Sequence, residues 1–163
     1  MAYEFRHRRR VEFAETDMAG IVHFSNFFRY MEMAEHEFLR SLGLSVHAVS
    51  DGRVVAWPRV HAECTYEAPL TFEDEVDVHL VVRQKQRKTI IYDFCFYKPG
   101  EEMPLARGSL TVVCVLLDGA GGMSAIPIPE FMDRQIEAAP ALSPAPAGHA
   151  LHGARQGAGG DGN

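Results

Sequence analysis

The chain has 163 residues, 47% of them hydrophobic, and a formal net charge of −6. That suits one domain with a buried core, and it speaks against a nucleic-acid partner, which favours basic chains. No run approaches the roughly 20 apolar residues of a membrane span, no secretory leader is read at the N-terminus, and three cysteines without a CxxC (Cys64, Cys95, Cys114) read as reduced core thiols of a cytoplasmic protein rather than as metal ligands.

In chain order, Tyr3 to Phe13 reads as a first strand. Its run Arg6-His7-Arg8-Arg9-Arg10 is read as a solvated sheet edge, where charge blocks pairing with other chains. Glu15 to Asn26 then forms a polar strand end and a short loop with one aspartate, Asp17, and one glycine, Gly20. A helix follows at once. Ser25 or Asn26 can cap its start, and Gly43 fits the position just past its end. Between them Phe27, Met31, Ala34, Phe38 and Leu42 recur at helical spacing, joined by Phe28 and Leu39, with Arg29, His36 and Arg40 opposite. The loop thus sets a carboxylate beside the exposed N–H groups of a helix N-terminus, a place that can hold a carbonyl oxygen while water or the carboxylate attacks its carbon.

Four strands follow the helix. Residues 56–66, 76–83 and 90–96 alternate with period two, and Leu105 to Leu117 is more uniformly apolar. Gln84 to Lys88 reads as a hairpin, Pro99-Gly100-Glu101 as a turn, and Pro129 to Glu137 as a short terminal helix. From Ala138 to Asn163 the chain is mostly Ala, Pro and Gly and reads as a disordered tail, leaving a folded domain of residues 1–137. One strand, one long helix and four strands make an α+β fold in which a single five-stranded antiparallel sheet curls around the helix. Such a layer leaves apolar surface at its edges, which a homodimer or homotetramer would cover.

Glu35 falls on the apolar arc of the helix, where a carboxylate needs a partner. Arg59 or His61, both read on the polar face of their strand, can supply it; a second active-site carboxylate is the other reading.

The stretch Val11-Glu12-Phe13-Ala14-Glu15-Thr16-Asp17-Met18-Ala19-Gly20-Ile21-Val22 resembles the start of hotdog-fold acyl-CoA thioesterases of the 4-hydroxybenzoyl-CoA thioesterase and YbgC type. The likeness continues through Phe27 to Glu32 and returns at Arg87-Lys88-Thr89 and at Leu110 to Val115, so that it spans about residues 3–130. It implies a hydrolase that cleaves an acyl-CoA thioester to free acid and coenzyme A. Asp17 would be the catalytic carboxylate, with the Phe24 N–H holding the thioester oxygen. Gly20, Val22 and Asn26 would belong to the substrate side. Gln86, Arg87 and Lys88 would meet the phosphates of coenzyme A. No metal or other cofactor is implied, and the active site would lie near a dimer interface. Two departures stand out. Phe24 occupies the place of a tyrosine in the 4-hydroxybenzoyl type. His23, the other catalytic candidate, lies one position earlier than the histidine of the YbgC type. A non-catalytic acyl-CoA or acyl-carrier sensor is the alternative; a dehydratase ranks below it, because the Asp17-to-His23 spacing is one residue longer than an Asp-x-x-x-x-His pair.

Overall fold

Alternating side chains pair into a sheet wherever one face can be buried. The computed structural model describes residues 1–50 and 52–141. In it β1 (Glu4–Arg10) leads through a 3₁₀ turn at Phe13–Glu15 to α1 (Asn26–Ser41). There follow β2 (Ala48–Ser50), β3 (Arg53–Ala56), β4 (Arg59–Tyr66), β5 (Glu75–Lys85), β6 (Thr89–Tyr97), β7 (Ala106–Val113), β8 (Val115–Leu117) and β9 (Met123–Ala125), then one helical turn, α2 (Glu130–Asp133). The main sheet has the order β1-β5-β6-β7-β4, with every pairing antiparallel. It curls around α1 in a hotdog arrangement, and the core lies between them.

The helix buries Phe27, Tyr30, Met31, Ala34, Phe38 and Leu39 against Val76, Val78, Leu80 and Val82 of β5 and Tyr92, Phe94 and Phe96 of β6. It ends in a Schellman turn: Gly43, at φ +70°, and Leu44 donate back to the carbonyls of Arg40 and Leu39. Gly108 lets helix and sheet approach closely, since a Cβ there would collide with the Met31 sulfur. The three cysteines are free thiols; Cys95 and Cys114 are buried and Cys64 half-buried. Burial raises the pKa of all three, to about 11 for Cys64 and Cys114, which keeps them protonated and unreactive.

Several expectations need correction. The first strand stops at Arg10, and Phe13 belongs to the 3₁₀ turn. The strands expected at 56–66 and 105–117 are each interrupted, at Trp57-Pro58 and at Cys114, where the chain leaves the main sheet; β2, β3, β8 and β9 form a second, four-stranded sheet. The terminal helix shrinks to the single turn of α2. Neither Ser25 nor Asn26 caps α1 with its side chain, because both side chains are engaged elsewhere. The expected tail at 138–163 lies outside the described residues from 142 onward. Before that, the Ala139 N–H donates to the Val82 carbonyl at 2.8 Å.

The most informative departure is in β4. Strict alternation places Arg59 with His61 and Glu63 on the polar face. A bulge at Val60 shifts the register, so that Arg59 pairs with the inward-facing Val112 while His61 pairs with Thr111. An extra residue in one strand turns its neighbours to the other face. Arg59 therefore points at the helix and pairs with Glu35, which is 1% exposed, and more loosely with Glu32 at 3.7 Å. His61 stays outside beside Glu63, at 3.2 Å.

Candidate active site

The segment Glu15–Asn26 folds back on itself before entering the helix. Thr16 bridges Val22, and the Asp17 N–H donates to the Ile21 carbonyl at 2.9 Å. Gly20 returns a bond to the Asp17 carbonyl (2.9 Å) at φ +76°, a left-handed conformation that favours glycine. Two contacts anchor the loop to the approach of β5: Val22 N–H to the Leu70 carbonyl at 2.8 Å, and a bridge between Ile21 and Thr71.

Asp17 is half-buried. Its Oδ1 accepts the Ala19 N–H at 2.8 Å, an Asx turn that fixes the carboxylate plane. No described residue donates to Oδ2. Thr16 does not reach the carboxylate; its hydroxyl donates to the Phe13 carbonyl at 2.7 Å.

At the helix entry the Glu15 carbonyl accepts both the His23 N–H (2.9 Å) and the Asn26 side-chain amide (2.8 Å). The Phe24 carbonyl accepts the Tyr66 hydroxyl at 2.9 Å. Clamped on both sides, Phe24 has an N–H that no described acceptor takes, and the residue is 62% exposed. The first N–H groups of α1 bond back to His23, Phe24 and Ser25, and the helix dipole adds positive potential there. His23 Nδ1 sits 2.7 Å from Ser25 Oγ and 3.3 Å from the Ser25 backbone nitrogen. Its ring stacks on Phe24 at 4.5 Å between centroids.

These placements sort the expected residues. Asp17, Gly20, His23, Phe24 and Asn26 come together in one loop and helix entry. Val22 is a core side chain with its N–H occupied, and it contributes position rather than contact. Arg87 and Lys88 do not join them. The loop abuts the start of β5, whereas the Gln86–Lys88 hairpin lies past its end, on the order of 30 Å away at ~3.3 Å per residue. Nor is the basic cluster whole. Lys85 binds the carbonyls of Asp133 and Ile136 and Arg83 pairs with Asp93 at 3.2 Å. Lys88 donates to the Ala125 carbonyl at 3.0 Å, and Arg87 is exposed with no ion pair among the described residues. Two residues escaped the sequence reading, Tyr66 and Glu15. The first is distant in sequence; the second stood in the motif as an unremarked acid.

A profile of the thioesterase-like superfamily matches residues 11–136. An Aquifex aeolicus (strain VF5) protein provisionally named an esterase is 40% identical over 116 residues, 71% of this chain and 87% of that protein. A 1,4-dihydroxy-2-naphthoyl-CoA hydrolase of Synechocystis sp. (strain ATCC 27184 / PCC 6803 / Kazusa) is 30% identical over 69% of this chain and 82% of its own length. Among solved structures, a 1,4-dihydroxy-2-naphthoyl-CoA thioesterase from Synechocystis superposes with TM-score 0.70 at 26% identity, covering 81% of this chain and 94% of that one. A gentisyl-coenzyme A thioesterase does so with TM-score 0.67 at 29% identity, covering 79% and 99%.

Proposed function

We propose that this chain, which belongs to the thioesterase-like superfamily and is a thioester hydrolase, cleaves acyl-CoA thioesters with Asp17 as its catalytic carboxylate. The observation that carries the reading is the pairing, within one folded-back loop, of a carboxylate with one open oxygen and a Phe24 N–H with no protein acceptor. The thioester oxygen would take the Phe24 N–H and lie at the positive end of α1, where charge developing on it is stabilised. Asp17 Oδ2 would attack the thioester carbon or take the proton of an attacking water. A C–O bond forms, the C–S bond breaks, and a proton ends on the coenzyme A sulfur. The reaction consumes only water. His23, at the same helix entry, would serve as the proton donor to the leaving sulfur.

The same reading accounts for the remote hairpin. At one end of the sheet Tyr66 of β4 touches Phe24. At the other, Arg59 lies across from Val112, and Val113 from Thr89, which closes the hairpin. β4 is an edge strand with exposed apolar residues, Val60 at 63% among them, whereas the opposite edge, β1, carries arginines that discourage pairing. Two copies joined antiparallel through β4 about a two-fold axis would set the Tyr66 end of one beside the Arg59 end of the other. The Arg87 and Lys88 facing the coenzyme A phosphates at a given Asp17 would then be the partner subunit's, and the active site would lie at the dimer interface.

The test is thiol release from a panel of acyl-CoAs. Aryl-CoAs head the panel, since the named relatives act on dihydroxynaphthoyl- and gentisyl-CoA. Turnover of at least one acyl-CoA with release of coenzyme A is expected. Binding of acyl-CoA without release across the panel would instead mark a sensor and overturn the reading.

A further inference from the structure

Glu15 has both ends engaged, each with a different part of the fold. Its carboxylate receives Arg9 Nη2 of β1 at 2.5 Å, the Tyr30 hydroxyl of α1 at 2.7 Å and the Glu12 N–H at 2.8 Å. Its carbonyl holds the His23 N–H and the Asn26 side chain. The trio is tightly built. Tyr30 is fully buried, and the Arg9 guanidinium lies 4.3 Å from the centre of its ring. Arg9 is also the exception in the arginine run: Arg8 turns outward to Asp77, at 2.6 Å, and Arg10 toward Glu75.

Arg9 and Glu15 are half-buried, and an ion pair withdrawn from water is weak evidence of stabilisation, since apolar replacements are often neutral or better. What this one supplies is geometry. Glu15 is two residues from Asp17, and its carbonyl holds the His23 N–H and the Asn26 side chain, which flank Phe24 on either side.

We propose that Glu15, clamped by Arg9 and Tyr30, is a positioning residue that holds the Asp17 carboxylate and the Phe24 amide in register with each other. This rests on the reading that those two groups carry the reaction. Displacement of a reacting group by about 1 Å can cost on the order of 100-fold, so loosening the clamp acts on kcat.

The experiment is steady-state thiol release, from an acyl-CoA that the wild type turns over, by the full chain and its variants Tyr30→Phe, Glu15→Gln and the two combined. Each single variant is expected to lose about ten- to a hundredfold in kcat, with KM moved less than about twofold. The combined variant is expected to be no slower than the slower single, because both break the same link. A kcat for folded Tyr30→Phe within about twofold of wild type, or losses that multiply in the combined variant, would overturn the proposal. Should Glu15→Gln fail to fold, Arg9→Lys replaces it in the cycle with the same expectation. Asp17→Asn in the same assay separates the two claims. If it is inactive while Tyr30→Phe is unimpaired, only the clamp falls. If it turns over normally, the reading of the site falls.

Discussion

Asp17 and Glu35 are carboxylates in opposite environments. Asp17 keeps one oxygen open at a loop that faces solvent. Glu35 is sealed between α1 and β4, some 13 Å along the helix axis from Asn26 at ~1.5 Å per residue, and spends its charge on Arg59. Its burial and its pairing with Arg59 agree with the ion-pair reading of this residue. Burial pushes its pKa up to about 7 against the pull of Arg59. A folded-state pKa above the unfolded one means that the native state holds a proton the unfolded chain has released. The associated stability is present in full below the unfolded value, ~4.5, and is lost as pH rises through about 7. Thermal melts of wild type and Glu35→Gln between pH 4.5 and 8 check this. The melting temperature of wild type should fall relative to the variant as pH rises. A constant difference would show that Glu35 does not titrate in that window. Asp17 and Gly20 were legible in the sequence because loop chemistry is local. Tyr66 and the Glu15 clamp were not, because a hydroxyl that reaches a backbone carbonyl across 42 positions leaves no local pattern.

At the level of elements, α1 and the cores of β5 and β6 were readable from periodicity, since each buries a full face. A boundary was legible where glycine punctuates the chain, as at Gly43, whereas the hairpin read at Gln84–Lys88 opens two residues later because β5 runs on to Lys85. Boundaries were obscured where a strand changes sheets. Residues 112–117 are apolar throughout, so alternation carries no mark of the break at Cys114, where the chain passes into the second sheet. The bulge at Val60 hides differently. One added residue exchanges inward and outward faces, which brings Arg59, read on the polar face yet already offered as a partner for Glu35, inward to that carboxylate. The apolar side chains of β4, expected to be buried, remain exposed because the strand is an edge with one neighbour. An apolar edge left open within one chain is what a second copy would cover.

For the molecule as a whole, that edge and the remote hairpin make one argument. If each active site draws Asp17 from one subunit and Arg87 and Lys88 from the other, two differently disabled chains can repair each other. Asp17→Asn and the double variant Arg87→Glu/Lys88→Glu should each be weak alone. Refolded together in equal amounts they should recover about a quarter of the wild-type rate, because half the dimers are mixed and each mixed dimer holds one intact site. Activity that never exceeds the sum of the separate variants would place both sets of residues in one subunit. The central claim is tested most directly by Asp17→Asn, which keeps the size of the side chain and the oxygen that closes the turn. Measured by thiol release on the best acyl-CoA of the panel, with an unchanged melting temperature, kcat should fall by roughly 10²- to 10⁴-fold, the contribution of a positioned proton-transfer group. Turnover near the wild-type rate in the folded variant would contradict it.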